Sequence, residues 1–429
     1  MSARRVAVVG AGASGTLQAV HLARRGVEVA LIDRGPAPGR GVAYGTARPE
    51  HLLNVPARRM SAFPDDPSHF TRWWGGSDEG FAPRMVYGDY LRELLNESGV
   101  EPIIGEAVSV GKSGESERVG LADGRAIDAG AVVLAPGNLR PAVPGRFDIA
   151  ALGAAWVGDP WASDWTREIG RDDMILLIGT GLTAVDVALT LEARGFAGRI
   201  LALSRRGLAP RAHGAHEPMT VAAEPLPVEC IGLLRHVRCR TDEVGWRSAV
   251  HELRTVTQDV WRAAAPEQRR RFLRHLRPWW DVHRHRVAPD VGATIARMQE
   301  DGRLAFCAGR ITTIEPHEGC ARIAWQARGG GDIETIDAAR VVNCTGPELD
   351  IVRAGEPLFD ALLAAGRIRP DPCRIGLDVD WDLRTLDARG QASDTLFALG
   401  PVTRGTFWES VAVPDIRDQS ARLAERLSA

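Results

Sequence analysis

Lysine is almost absent from this 429-residue chain: Lys112 is the single lysine among 53 Lys and Arg residues. It lies in the polar stretch 111–118, whereas a Schiff-base lysine needs a desolvated pocket, so that chemistry is not expected. Arginine carries the positive charge, against 55 acidic residues and a formal net charge of −2. Such a balance leaves no basic footprint for a nucleic-acid partner. The six cysteines, Cys230, Cys239, Cys307, Cys320, Cys344 and Cys373, are scattered, with no CxxC pair and no metal-ligand spacing. This counts against a reductase that works through a cysteine pair, and no metal site is expected. No apolar run approaches the roughly 20 residues that span a bilayer. The N-terminus enters an apolar strand without a charged-then-apolar leader. A cytoplasmic protein with no membrane partner is the expectation.

Glycine is placed where nucleotides bind. Gly10-Ala11-Gly12-Ala13-Ser14-Gly15 follows the apolar run Val6 to Val9. The order reads as strand, tight turn, helix. Gly10 permits the turn, Gly12 lets backbone approach a pyrophosphate, and Gly15 lets helix and strand pack closely. Anionic phosphates would then meet the unpaired N–H groups of a helix N-terminus. A helix over Thr16 to Arg25 is expected to stop at Gly26, and Val27 to Ile32 to form the next strand. Asp33 stands at its end, about 20 residues after the glycines, where an acid can accept from ribose hydroxyls.

The pattern recurs at Gly179-Thr180-Gly181-Leu182-Thr183-Ala184, after Ile175 to Ile178. A helix over Leu182 to Arg194 and a strand over Ile200 to Leu203 follow. This second strand ends not in an acid but in Ser204-Arg205-Arg206-Gly207. Guanidinium there accommodates a 2′-phosphate, so the first cradle reads as an FAD site and the second as an NADPH site. The other reading of Arg205 and Arg206 is a solvated turn. Two dinucleotide sites in one chain point to an electron relay in which one cofactor stays and the other arrives with hydride.

A chain of this length is expected to form two domains. The fold class is α/β: two Rossmann-like dinucleotide-binding domains, with a helical insertion in the second. Residues 1–150 and 340–429 form the expected FAD domain, discontinuous in sequence, and 151–339 the NADP domain. A small hairpin is expected over Glu115 to Ile127 around Asp123-Gly124. Buried strands are expected at Ala131 to Leu134 and Val341 to Asn343. The insertion spans about 216–304, because Glu243 to Ala264 and Pro266 to Leu276 carry apolar residues at helical spacing. Leu396 to Leu399 and a helix from about Val413 to Leu427 close the first domain.

Several segments together resemble one family: Gly10 to Gly15, Gly39-Arg40-Gly41-Val42-Ala43-Tyr44, His51-Leu52-Leu53-Asn54-Val55-Pro56, Met60-Ser61, and Gly400-Pro401-Val402-Thr403-Arg404-Gly405 with Trp408-Glu409. It is the FAD/NAD(P)-binding group that includes FAD-dependent urate hydroxylases and aspartate N-monooxygenases. The resemblance covers almost the whole chain; 52–60 and 403–415 are its more specific parts. The two-cradle layout is also similar to flavin N-hydroxylases and Baeyer–Villiger enzymes. In such proteins an Ala-Thr-Gly-like turn marks each domain crossing, and the matching turns are Ala135-Pro136-Gly137 and Cys344-Thr345-Gly346. One departure is Gly400-Pro401, where many such flavoproteins carry Gly-Asp with the acid on the ribityl chain.

The resemblance implies an FAD-dependent, NADPH-using monooxygenase that acts with molecular oxygen on a small polar metabolite. N-hydroxylation of an amino acid or amine (aspartate-like) is favoured over hydroxylation of a purine such as urate. The alternative is an NADPH-dependent reductase passing electrons to a quinone or carrier, and a flavin-retaining sensor is a third. A homodimer is compatible with the family. Implied cofactor-binding residues are Gly10, Gly12, Ser14, Gly15, Asp33, Arg34, Arg40, Asn54, Val55, Gly137, Gly179, Gly181, Thr183, Ser204, Arg205, Arg206, Gly346 and Gly400. Implied catalytic residues are Asn54, Met60, Arg404 and Trp408. Asn54 either bonds a flavin edge or the activated oxygen, or caps a turn. Arg58, Arg59 and Arg404 either hold a substrate carboxylate or purine oxygen, or make salt bridges. In the run Trp279 to Arg286 the aromatics are expected to pack the insertion onto the core. Arg284 or Arg286, like Arg211 and His213, are candidates for the nicotinamide cofactor's phosphates.

Overall fold

The computed structural model describes residues 5–35, 37–143, 145, 147–214 and 226–429. Two sheets organise it, one per glycine cradle, each with parallel strands at its centre and antiparallel pairing toward one edge. The first has six strands in the order Arg384–Leu386, Ala392–Ala398, Ala131–Leu134, Val6–Val9, Val29–Asp33, Pro102–Ile104. All its pairings are parallel except that of the edge strand Arg384–Leu386. Val6–Val9 and Ala131–Leu134 are apolar at every position and buried throughout. That is the pattern of strands covered on both faces. The helices Ala13–Ala23 and Val413–Ser428 pack against each other beside this sheet.

The second sheet has seven strands in the order Ile333–Ala338, Cys320–Ala327, Leu304–His317, Arg199–Ser204, Met174–Ile178, Arg340–Asn343, Trp156–Val157. Its core rests on residues such as Ile175, Leu177, Val185 and Val342. Arg340–Asn343 pairs with Met174–Ile178. The return to the first sheet therefore begins after Asn343, not at residue 340, because this strand is held by its second-sheet neighbours. A three-stranded antiparallel sheet, Ala107–Ser113, Ser116–Leu121 and Ala126–Ala129, contains the expected hairpin. There Lys112 reaches buried Glu117 at 2.8 Å, and Arg367 grips the same carboxylate at 2.7 Å.

The helical region contains Cys230–Ala263, Pro266–His275 and Arg277–Arg284. The first is interrupted at Gly245, with φ 76° and ψ 154°. The next helix, Pro289–Glu300, packs against Leu182–Ala193 and leads into Leu304–His317, which pairs parallel with Arg199–Ser204. It is therefore the crossover helix between two parallel strands rather than part of the inserted element. Residues 215–225, where the insertion was expected to begin, lie outside the described residues.

Candidate functional site

The two cradles share one geometry. Gly10 has φ +102°, and a Cβ there would lie 2.3 Å from the Ala135 carbonyl oxygen; Gly179 has φ +122°, and its Cβ would lie 2.4 Å from that of Cys344. Only glycine fits a position with both that backbone and that contact. Each expected crossing turn thus presses on the first glycine of a cradle. At Gly15 a Cβ would fall 1.7 Å from the Gly10 oxygen, so this glycine sets the strand-to-helix packing. The second glycines differ: Gly12 has only the Gly41 Cα at 3.7 Å, and Gly181 has nothing within 4 Å. Their faces are open to a ligand. The helices Ala13–Ala23 and Leu182–Ala193 also start without a side-chain cap and without an acid in the first turn. Free N–H groups and the positive helix end remain for an anion. These features fit a dinucleotide pyrophosphate at each cradle.

The strand ends differ as the sequence suggests. Asp33 accepts from Ala11 N at 2.5 Å and Gly35 N at 2.7 Å. It braces its own cradle, and a carboxylate has lone pairs to spare for a ribose hydroxyl. The Ser204 hydroxyl plays the bracing part in the second unit, 2.9 Å from the Thr180 hydroxyl and accepting from Gly207 N at 3.0 Å. Arg205 is exposed and Arg206 half-buried, and neither makes an ion pair among the described residues. Thr183 is half-buried in the first turn of its helix, and Gly137 and Gly346, at φ +72° and +83°, have open space at their Cβ positions.

Other implied residues distribute unevenly. Gly39 N donates to Ala11 O at 2.8 Å, which lays the 39–41 loop on the first cradle. Arg40 pairs with Asp89 and keeps a buried Nε without a partner. Arg34 is tied to Glu356 at 2.9 Å on the surface. A Cβ at Gly400 would meet Ser14 Oγ at 2.5 Å, so the Gly400-Pro401 turn abuts the cradle helix. Gln419 accepts from Gly400 N at 2.9 Å. Asn54 is half-buried, and its carbonyl accepts from His213 Nε2 at 3.0 Å, which joins the two units. His213 is thereby spent on the unit interface. Val55 packs on the first core.

Two residues expected at the reacting centre are built into cores. Met60 is 2% exposed within the first core. Trp408 is 7% exposed and stacks on Trp261 with centroids 4.7 Å apart. Large apolar side chains on these segments satisfy packing first. Trp280 joins Trp408's cluster as expected, whereas Trp279 is 44% exposed. Neither Arg284 nor Arg286 is free for phosphates. Arg284 lies 3.0 Å from Glu409, and Arg286 donates to the carbonyls of His283 and Arg247. Arg58 takes the salt-bridge role with Glu79. No group of three or more potential metal ligands occurs among the described residues.

Two constellations carry almost no local sequence signature. One clamps the units together: Arg84 grips Asp186 at 2.5 and 3.1 Å. Beside it, His51 Nδ1 accepts from Arg48 N at 3.3 Å, so its Nε2 carries the proton toward Thr190 Oγ1 at 2.9 Å. Burial lowers the pKa of His51, consistent with this neutral ring. The other lies where the insertion meets residues 404–415. Glu409 is buried at φ +76° and receives Trp280 Nε1 at 2.8 Å, with His285 3.3 Å away. Burial pushes its carboxyl up, but His285 and Arg284 outweigh that and hold it well below the usual range. The only sequence signal was Glu409 itself, beside Trp408; its partners come from a region rich in look-alike arginines.

Residues 7–139 match the family model described as FAD-NAD(P)-binding. A curated relative, the flavin-containing monooxygenase ustF1 of Aspergillus flavus, is 28% identical over 226 residues, 48% of this chain and 54% of that protein. The chain therefore aligns with about half the length of that relative. Among solved structures, the reduced ornithine hydroxylase of Pseudomonas aeruginosa superposes with a TM-score of 0.67 at 17% identity, covering 99% of this chain and 98% of that one. L-lysine 6-monooxygenase from Pseudomonas syringae gives 0.68 at 15% identity, with 99% of each chain covered. Thioredoxin reductase from Lactococcus lactis gives 0.59 at 14% identity, again over 99% of each. At these identities the likeness is one of fold: the two-cradle α/β architecture extends over the whole chain.

Proposed function

We propose that this chain is an FAD-dependent, NADPH-using monooxygenase that N-hydroxylates a small amino acid or amine. The observation that carries this is the pair of open, uncapped cradles on joined sheets, one strand ending in Asp33 and the other in Arg205 and Arg206, which make no ion pair among the described residues. FAD at the first cradle would supply redox and oxygen chemistry that amino-acid side chains lack. The chain's own residues bind and orient. First-turn amides after Gly12 and Gly181 hold the two pyrophosphates. Arg205 and Arg206 select the 2′-phosphate. Val55, half-buried beside Asn54, supplies apolar wall, and such walls limit water at a reacting centre. The named activities of the relative and of two of the superposed enzymes support oxygen insertion over simple electron transfer. The scattered free cysteines support it too, since a disulfide reductase needs a pair.

The test is to follow oxygen uptake by the purified flavoprotein with NADPH, with and without L-ornithine, L-lysine, L-aspartate or urate. Oxygen use coupled to an amine, with a hydroxylamine product and little free peroxide, is the expected result. NADPH oxidation indifferent to oxygen but accelerated by a quinone or dye would establish the reductase instead.

A further inference from the structure

The helical insertion surrounds a cavity that shares no lining residue with either glycine cradle. Among the described residues it holds about 540 Å³ of empty space, part of it open to solvent, walled by Leu233, Leu253, Val260, Trp261, Phe272 and Trp408. Its shape follows from one glycine. In a straight helix, residues 233 and 260 would stand about 40 Å apart. The helix Cys230–Ala263 breaks at Gly245, whose φ of 76° suits only glycine without strain. The break folds the helix back, and both arms face the same void. Arg240 on one arm bonds Glu252 on the other at 2.8 and 3.1 Å, a contact that no straight helix allows. The small side chains Cys230, Thr257 and Ala264 complete the wall and leave the space between the rings unfilled.

Protein interiors are close-packed, with few voids larger than a water molecule. Atoms that line a void lose dispersion contacts, so this cavity persists against a cost. A space of roughly 300–1,000 Å³ lined mainly by aromatic and aliphatic side chains is the ordinary form of a small-molecule site. The wall also sets the charge of what enters. Trp261 Nε1 donates to the Gly405 carbonyl, Trp280 Nε1 to Glu409, and Thr257 Oγ1 to the Leu253 carbonyl. Gln268 Oε1 accepts from Cys230 N at 3.2 Å. Arg269 spends Nε on the carbonyls of Trp261 and Ala264, and Nη2 on that of Arg262. Trp408 Nε1 is buried without a partner, a neutral donor. An ion entering here would shed its water and find the wall's one guanidinium already committed. Arg404, a candidate for holding a substrate carboxylate, donates from Nε to the Pro401 carbonyl at 3.2 Å and takes no part in this wall.

We propose that this cavity is a binding site for a neutral, apolar molecule of about one aromatic ring, separate from both nucleotide cradles. A dry apolar void of roughly 150 Å³ already takes benzene. Trp261 and Trp408 stack with centroids 4.7 Å apart, and Phe272 meets Trp408 edge-on at 5.5 Å. A further ring extends that cluster in the geometries that aromatic pairs prefer. The site stands independently of the oxygenase reading.

Calorimetry on the FAD-loaded protein with toluene, benzylamine and benzoate tests this, since the three carry the same ring as a neutral molecule, a cation and an anion. Toluene is expected to bind, and both ions to bind at least tenfold more weakly. L233W and V260W, one on each arm of the broken helix, fill the void and are expected to abolish toluene binding while flavin content persists. Either ion binding as tightly as toluene overturns the proposal, as does wild-type protein that takes no toluene. Toluene affinity unchanged in the folded variants overturns it too. Irradiation of the wild-type protein with a phenyl diazirine locates the site without any substitution, and decides the matter should the variants fail to fold. Label concentrated on peptides carrying residues 228–233, 253–280 or 408 is the expected result, and label confined to other peptides is decisive against.

Discussion

The paired glycines of each cradle separate folding from binding. Gly15 is needed for packing, since any side chain there strikes the Gly10 oxygen. Gly12 and Gly181 are not: their backbones are extended, at φ −71° and −84°, and space is open around them. A valine at either position is therefore expected to cost the apo protein only about 1 kcal/mol, for the loss of a glycine at the helix N-cap, while projecting methyls toward the phosphate face. We expect G12V to purify colourless, with a denaturation midpoint near that of flavin-stripped wild type. G181V is expected to keep its flavin and raise the KM for NADPH at least tenfold. A colourless G181V, or a fully yellow G12V, would mean the cradles are misassigned.

Among elements, the helix Leu182–Ala193 has a double duty. Its N-terminus faces the second cradle, and its middle carries Asp186 and Thr190 into the clamp with Arg84 and His51. The Asp186 side chain is almost wholly buried. Removing it strands the Arg84 guanidinium, at a cost of about 3–5 kcal/mol. Urea unfolding of D186A is expected to show that loss, and D186N a smaller one because the amide still accepts a hydrogen bond. An effect under about 1 kcal/mol for D186A would show that the contact is dispensable. This clamp was not legible beforehand. His51 and Arg84 read as ordinary residues of the first unit, and Asp186 is an acid in an apolar helix whose partner is 102 residues away. The strands and helices around the cradles were legible, because turn glycines and apolar runs are local signals. Met60 and Trp408 illustrate the limit: their segments were recognised, but which side of a segment faces a core depends on contacts distant in sequence.

At the scale of the whole molecule, two buried histidines make stability sensitive to acid. His21 donates from Nε2 to the Ala62 carbonyl at 3.0 Å, and burial lowers its pKa from 6.5 to about 4. Below pH 6.5 the unfolded chain takes up a proton that the folded chain refuses until about pH 4. Stability from His21 is thus complete above pH 6.5 and is lost as pH falls through that window, by on the order of 3 kcal/mol. His51 acts in the same direction. Urea midpoints measured from pH 8 to 4 should fall accordingly, and less steeply in H21Q; equal slopes in both proteins would remove His21 from the account. The crossing turns pressed on Gly10 and Gly179 bear on the same scale. Ala135 and Cys344 start the two straps that tether one unit to the other, and each strap is anchored at the lip of a cradle. The pivot between the units and the seats of their nucleotides are therefore one mechanical part, and swinging one unit would tug at whatever is seated in either.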